Sequence, residues 1–370
     1  MRPGRCWGWQ RWPGRTEFRQ PPAAPVRIHF IFEPDSPGRF RDLGRLAEQL
    51  GFEAVWAPNI LSARDPFLAF SLLARESRTI RMGPVAISPF ELHPLKIANA
   101  ALTLNELSGG RANLVIGGGG GTMIGMGLKP DRRATHPRMV QGVRECVEFL
   151  RAVSPTAPLN FNGELFQVQN YLPDWATAPA PRLYVAANRP RMLKLAAELA
   201  DGVMLSDISL HYISDTVATL REALPARRSG FSRDLEINNL LAWHVKPDRK
   251  AAYAEARRKL WVRGIWERAR NAPFVDAAAC DLIEKNLPGL ALAYQRGEDP
   301  AGVVPQKILD ALVDGLTLTG ASNDLTRIID ELLAFRSAGV TEIGLRLYGD
   351  PDAAIRLVAA GVAPAVMGTG

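Results

Sequence analysis

The chain has 370 residues, of which 47% are hydrophobic and 22% charged, a composition typical of a globular protein with one large domain or two ordinary ones. It holds no run of 18 or more apolar residues, so we expect no transmembrane helix. Its three cysteines, Cys6, Cys146 and Cys280, are scattered without metal-ligand spacing. We therefore expect no metal site, free thiols and a cytoplasmic location.

The net charge of +7 is concentrated at the amino terminus. Residues 1–25 hold five arginines and one glutamate, which is +4 of the total, so the remaining chain gives little support for nucleic-acid binding. The segment is rich in Pro, Gly, Arg and Trp, shows no periodicity and lacks the apolar core of a secretory signal. We interpret it as a disordered basic arm or an overlong start; a basic-aromatic docking arm is the alternative.

Apolar runs alternate with helical patterns along the rest of the chain. The predicted strands are 26–32, 53–57, 80–87, 112–116, 182–187, 203–206, 236–245 and 341–347. The predicted helices are 38–51, 65–77, 93–110, 190–202, 209–224 and 322–340, with a long helical region from Asp248. Asp65 is a candidate N-cap, with Pro66 at the first helical position.

Strands that alternate with helices require a parallel sheet with right-handed crossovers. Eight such units favour a closed (β/α)8 TIM barrel, an α/β fold, as a single domain over residues 26–365. Two insertions interrupt the repeat, near 117–181 and 269–320. The first contains a predicted helix near 137–152 and a predicted hairpin around 162–168. Such insertions in barrels usually build the rim of the active site.

Five consecutive glycines, residues 117–121, follow the fourth strand. In a barrel this position lies on the catalytic face, where backbone without Cβ atoms can approach a planar or anionic ligand closely. No dinucleotide or Walker spacing fits the run. Composition alone leaves two alternatives open, a flexible rim loop and a ligand cradle.

The residues around these glycines carry a family resemblance. The stretch HPLKIANAALTLNELSGGRANLVIGGG (93–119) resembles the signature of the bacterial luciferase-like oxidoreductases, as do LGFEAVW (50–56) and residues 181–205. The likeness covers residues 26–350 and is strongest to the methylenetetrahydromethanopterin reductase branch, which uses the deazaflavin coenzyme F-420. It implies a barrel with the flavin or deazaflavin ring at the carboxyl-end mouth, a small-molecule substrate and a homodimer.

The resemblance also implies which residues contact the ring. Asn59 follows the second strand, and Gly117, Gly118 and Gly119 follow the fourth. Many relatives have a cis, non-prolyl bulge behind the ring, and the corresponding bond here is Val85–Ala86. An ordinary extended strand is the alternative at that bond.

The implied phosphate site lies at the start of the helix after the fifth strand. Ala187, Asn188 and Arg189 stand there, and free N–H groups at a helix start bind phosphate well. Arg189 adds a charge suited to a phosphate. The alternative is a capping loop with a solvated arginine.

This chain departs from the family pattern at the positions that carry proton-transferring side chains in relatives. Many deazaflavin-using relatives carry Asp-His where this chain has Asn59-Ile60, and a glutamate where it has Ile31. Side chains alternate along a strand, so Glu33 lies on the same face as Ile31 and one step nearer the mouth. Glu33 is therefore the candidate replacement for the family glutamate. The alternative is that Glu33 is a surface residue at a turn. His244, at the end of the seventh strand, is a second candidate acid/base or substrate contact, or else a rim residue.

Three functions remain open at this point. The first is hydride transfer between reduced coenzyme F-420 and a small organic substrate. The second is an FMN-dependent monooxygenase on the same scaffold. The third is a relative that binds a flavin or metabolite without catalysis, which the Asn59-Ile60 pair favours and which the glycine loop does not exclude.

Overall fold

The computed structural model describes residues 25–33, 35–127, 132–228, 231 and 234–368. Residues 1–24 of the predicted basic arm lie outside this range. The strands in chain order are β1 (Arg27–Ile31), β2 (Ala54–Pro58), β3 (Arg81–Val85), β4 (Asn113–Ile116), β5 (Leu159–Asn162), β6 (Gln167–Tyr171), β7 (Arg182–Ala186), β8 (Gly202–Ser206), β9 (Glu236–Lys246), β10 (Thr317–Ala321) and β11 (Glu342–Leu347).

Eight of these strands form a parallel barrel. Their order around the barrel is β3-β2-β1-β11-β9-β8-β7-β4, and each neighbouring pair is parallel. Isolated bridges from Met82 to Ala112 and from Ile87 to Ile116 join β3 to β4 and close the ring. The eight predicted strands and the (β/α)8 fold are therefore confirmed.

Helices surround the barrel. They are α1 (Pro37–Gln49), α2 (Pro66–Ala69), α3 (Ser71–Glu76), α4 (Pro94–Leu107), α5 (Gly120–Gly125), α6 (Arg132–Ala152), α7 (Pro190–Leu199), α8 (Leu210–Ala223), α9 (Arg249–Lys259), α10 (Arg268–Asn271), α11 (Ala277–Lys285), α12 (Leu287–Arg296), α13 (Gln306–Leu316), α14 (Thr326–Ala338), α15 (Pro351–Gly361) and α16 (Ala363–Met367). Short 3-10 helices span Leu224–Ala226, Leu260–Arg263 and Pro300–Gly302. Among the described helices, none combines the length and apolarity that crossing a bilayer requires.

The helix predicted over 65–77 is two short helices, α2 and α3, that meet at Phe70. The cap at its start is as predicted, because the Asp65 carboxylate accepts the Leu68 N–H at 2.9 Å and Pro66 is the first helical residue. Arg111, from the glycine-rich turn before β4, donates to the carbonyl oxygens of Ala74 and Ile80. This arginine therefore fixes the turn before β4.

Strand alternation divides the core into two layers. One face of each strand points into the barrel, where Ile31, Trp56, Val115, Tyr184 and Met204 pack together. The opposite face packs under the surrounding helices. His29 shares the inward face of Ile31, is 1% exposed and accepts the Trp56 indole N–H at 3.3 Å. His29 is therefore a core residue of the barrel interior.

The first insertion contains α5, α6 and an antiparallel hairpin of β5 and β6, so the predicted helix and hairpin are both present. Helices α10 to α13 lie in the second insertion, and α9 and α11 to α13 share a hydrophobic cluster separate from the barrel core. β10 (Thr317–Ala321) lies at the predicted end of that insertion, near residue 320. β9 runs for 11 residues, and β10 pairs with it from Ala242 onward, past Leu240, where the pairing with β8 ends. The backbone N–H and C=O groups of β9 beyond Leu240 thus pair with β10, a strand that the hydrophobic periodicity did not predict.

Candidate functional site

The carboxyl ends of the eight barrel strands meet at one rim, and every residue proposed from the sequence as part of the site lies there. The residues at this mouth fall into three groups. The glycine face comprises Asn59, Ala86, Glu91, Gly117 and Gly119. The charged face comprises Glu33, Asp207, His244, Arg263, Arg346 and Tyr348. The helix-start cleft comprises Asn188, Arg189, Glu267 and Arg270.

Small residues line the glycine face. A Cβ built on Gly117 would lie 3.1 Å from the Ala186 Cβ and 3.2 Å from the Ala86 Cβ, closer than ordinary carbon contacts. We call Ala86, Gly117 and Ala186 the small-residue cradle. The Val85–Ala86 peptide bond beside it is cis, as the resemblance implied. The cradle residues carry little or no side chain, an arrangement that suits a planar ring.

Asn59 and Glu91 form a pair on the same face. The Asn59 Nδ2 group donates to Glu91 Oε2 at 2.6 Å and to the Ala86 carbonyl oxygen at 3.3 Å. Burial raises the pKa of Glu91, against the opposing effect of the hydrogen bond from Asn59. Glu91 also lies against the loop after β4, since a Cβ on Gly119 would come within 2.6 Å of its Oε1. Gly119 has φ +75, which a glycine adopts without strain.

Glu33 follows β1 on the charged face and forms an ion pair with Arg346. β1 and β11 are neighbours with Ile31 opposite Arg346, so the residue two positions beyond Ile31 comes within reach of that guanidinium. The Glu33 side chain is 55% exposed, whereas the Arg346 side chain is 7% exposed. Glu33 is therefore an accessible carboxylate at the mouth, held by a buried cation.

His244 is fully buried on this face. Its ring stacks on Tyr348, with centroids 4.8 Å apart and planes 7° from parallel. Burial lowers the pKa of His244, against the effect of Glu255, whose Oε1 lies 2.9 Å from Nδ1. Because the Glu255 carboxylate accepts, Nδ1 is the donor of this hydrogen bond, and Nε2 is buried without a hydrogen-bond partner among the described residues. Because Tyr348 covers it, His244 lies behind the surface of the mouth.

A buried ion pair completes the charged face. Arg263 Nη1 lies 2.6 Å from Asp207 Oδ1, and these side chains are 9% and 2% exposed. Arg263 also donates to the Tyr348 hydroxyl at 3.3 Å. Asp207 has φ +54, an uncommon conformation for a residue with a side chain. Two arginines from different elements therefore surround Tyr348, since the Arg346 Cζ lies 5.3 Å from its ring centroid.

The helix-start cleft lies where β7 meets α7. Both ends of the Asn188 amide are occupied, because Nδ2 donates to the Ser206 carbonyl and Oδ1 accepts the Ser206 N–H, each at 2.9 Å. Arg189 pairs with Glu267 at 3.0 Å, and the same Glu267 oxygen lies 3.2 Å from Arg270 Nε. These residues line a cleft at the protein surface. The cationic side chains of Arg189 and Arg270 suit an anionic group. Asn188 positions the loop that carries Arg189.

Sequence reasoning found the strand ends but missed several of their neighbours. Asp207, Arg346 and Tyr348 follow or end barrel strands, so the argument that selected His244 could have selected them too. Glu91 and Arg263 lie outside the strands, in segments without a periodic signal. Only the folded chain brings them to the mouth.

Comparison with known proteins agrees with this geometry. A family model described as luciferase-like monooxygenase matches residues 16–342. The 5,10-methylenetetrahydromethanopterin reductase of Archaeoglobus fulgidus is 28% identical over 86% of this chain and 93% of its own length. The coenzyme F420 dependent tetrahydromethanopterin reductase structure from Methanopyrus kandleri aligns with a TM-score of 0.73 at 21% identity, over 93% of this chain and all of that one. The oxygenating constituent of 3,6-diketocamphane monooxygenase from Pseudomonas putida, in complex with FMN, aligns with a TM-score of 0.61 at 18% identity, over 92% and 98% of the two chains.

Proposed function

Because the chain belongs to the luciferase-like monooxygenase family and is therefore an oxidoreductase, we propose that it transfers hydride between reduced coenzyme F-420 and a small organic substrate. The coenzyme F420 dependent reductase from Methanopyrus kandleri, which aligns over 93% of this chain, supports the F-420 class. The cofactor supplies the hydride when bound, and the barrel supplies orientation.

The small-residue cradle is the observation that carries this proposal. Gly117 stands between Ala86 and Ala186 with no room for a further Cβ, at the carboxyl-end mouth where barrels bind their ligands. We assign Val85 and Ala86 to one side of the ring and Gly117, Gly118 and Gly119 to its rim. The residues present thus fit a planar cofactor.

The helix-start cleft is the proposed phosphate site. Ala187 leads into it from β7, Asn188 holds the loop against β8, and Arg189 supplies the charge. Arg189 has a carboxylate partner in Glu267, so an incoming phosphate must compete with that ion pair. A phosphate offers more acceptor oxygens than a carboxylate, and the N–H groups of the α7 start add to its binding.

Proton exchange with the substrate is assigned to Glu33, with His244 in a supporting role. Glu33 is accessible and at the mouth, and Arg346 fixes its carboxylate. His244 is buried behind Tyr348, so we assign it to holding that tyrosine in place. A positioned carboxylate contributes about 10²–10⁴ in rate when it transfers a proton in the transition state.

An FMN-dependent monooxygenase is the second candidate. The FMN-bound relative in fold favours it, since the same kind of barrel accepts that ring. The cradle and the cleft would serve FMN in the same way, because FMN also joins a planar ring to a phosphate.

Titration of the purified protein with oxidised coenzyme F-420 and with FMN tests the proposal and ranks the two cofactors. We expect Gly117→Ala to lower the affinity about 10-fold, because its methyl group enters the cradle. Gly302→Ala is the matched control, since its Cβ would meet nothing within 4 Å and Gly302 is not assigned to the site. Failure of the wild type to bind either cofactor would overturn the proposed function, and equal affinity of the two variants would remove the cradle from it.

A further inference from the structure

A hydrogen-bond arrangement on the glycine face determines which end of the Asn59 side chain is available to a ligand. Both contacts of its amide use Nδ2, one to a carboxylate and one to a carbonyl, and both partners only accept hydrogen bonds at those atoms. An amide rotated by 180° would place Oδ1 against two acceptor oxygens. The surroundings therefore fix the amide in one orientation.

The fixed orientation leaves an acceptor free at the mouth. Among the described residues none donates to Asn59 Oδ1, and this oxygen is not one of the buried unpaired atoms. Asn59 stands directly after β2, and its backbone N–H bonds to the Val85 carbonyl beside the cradle. The free oxygen thus lies next to the proposed ring site, where flavin and deazaflavin rings both carry an N–H donor.

We propose that Glu91 is a positioning residue that holds the Asn59 amide with its oxygen toward the bound ring, so that Asn59 and Glu91 together provide the hydrogen-bond acceptor of this site. The inference rests on the proposed function, because it needs a planar ligand with an N–H group. Glu91 acts through Asn59 and does not itself touch the ring.

Two substitutions at Glu91 separate orientation from charge. Glu91→Gln removes the charge but keeps an oxygen that can accept from Asn59 Nδ2, so affinity for oxidised coenzyme F-420 should stay within about 3-fold of wild type. Glu91→Met has a similar length without an acceptor, and the freed amide should lower the affinity about 5- to 10-fold, the scale of one net hydrogen bond. If both variants bind equally weakly, the charge matters and the amide orientation does not.

A double-mutant cycle provides the decisive readout. In an Asn59→Ala background the effect of Glu91→Met on affinity should vanish, because the residue through which it acts is absent. Full additivity of the two effects would overturn the inference. Melting temperatures of the cofactor-free variants identify any that fail to fold; Glu91→Leu then replaces Glu91→Met, and Asn59→Leu replaces Asn59→Ala. A wild type that binds neither F-420 nor FMN refutes the proposed function, whereas a binding wild type with an additive cycle refutes the positioning role alone.

Discussion

Substitution of Glu33 by glutamine tests the assigned proton exchange. The Glu33 side chain is 55% exposed and its only ion-pair partner among the described residues is Arg346. Glutamine keeps an oxygen that can accept from Arg346, but this buried guanidinium loses its charge partner, so the free energy of unfolding should fall by about 1–3 kcal/mol. A group that transfers a proton in the transition state contributes to the rate itself, and we expect kcat to fall at least ~100-fold, or about 2.7 kcal/mol.

Steady-state kinetics with reduced coenzyme F-420 measure kcat, cofactor titration measures the affinity, and urea unfolding measures the free energy of unfolding. Glu53→Gln is the matched control, because Glu53 is 33% exposed, pairs with Arg27 at 2.9 Å and precedes β2 at the opposite end of the barrel. We expect Glu53→Gln to leave kcat within about 2-fold. The reasoning is refuted if Glu33→Gln turns over as fast as Glu53→Gln, or if its loss of rate is matched by a loss of cofactor affinity.

Three further outcomes are expected. Arg189→Glu should weaken cofactor binding by about 1–3 kcal/mol in titrations, whereas Glu267→Gln should strengthen it, because the competing carboxylate charge is gone; unchanged affinity in both removes the phosphate role. Arg263→Met should lower the free energy of unfolding by about 3–5 kcal/mol in urea, since it leaves the Asp207 carboxylate buried and unpaired; a loss below 1 kcal/mol would contradict this. Hydrogen bonds from Arg144 lower the pKa of Glu198. They therefore stabilise the fold above the ordinary glutamate pKa, and this stabilisation is lost as pH falls through the lowered pKa. Between pH 5 and 3 the melting temperature of Arg144→Met should fall less than that of the wild type.

The barrel was predictable because each strand is a local apolar run, and the strand ends then placed Glu33, Asn59 and His244 at one mouth. What could not be predicted was which side chains meet there. Glu33 and Arg346 are 313 residues apart, and they pair only because barrel closure sets the first strand beside the last. The burial of His244 was equally inaccessible, since it depends on Tyr348 from another strand lying over its ring. Loop residues such as Glu91 carry no periodic signal that indicates a position.

Glu33 and Glu91, two of the carboxyl groups at the mouth, occupy different environments, and this difference supports separate roles. Glu33 is largely solvent-exposed and paired with a cation, which suits a group that exchanges protons with substrate and water. Glu91 is partly buried, its pKa is raised by that burial, and an amide stands beside it at 2.6 Å. Such a group suits a fixed hydrogen-bonding role. In the proposed arrangement, the roles that the family resemblance gives to an Asp-His pair after the second strand are divided between the end of β1 and the loop after β3. The loss of that pair at Asn59-Ile60 is consequently compatible with catalysis, and the reading as a binding protein without activity is not required to explain it.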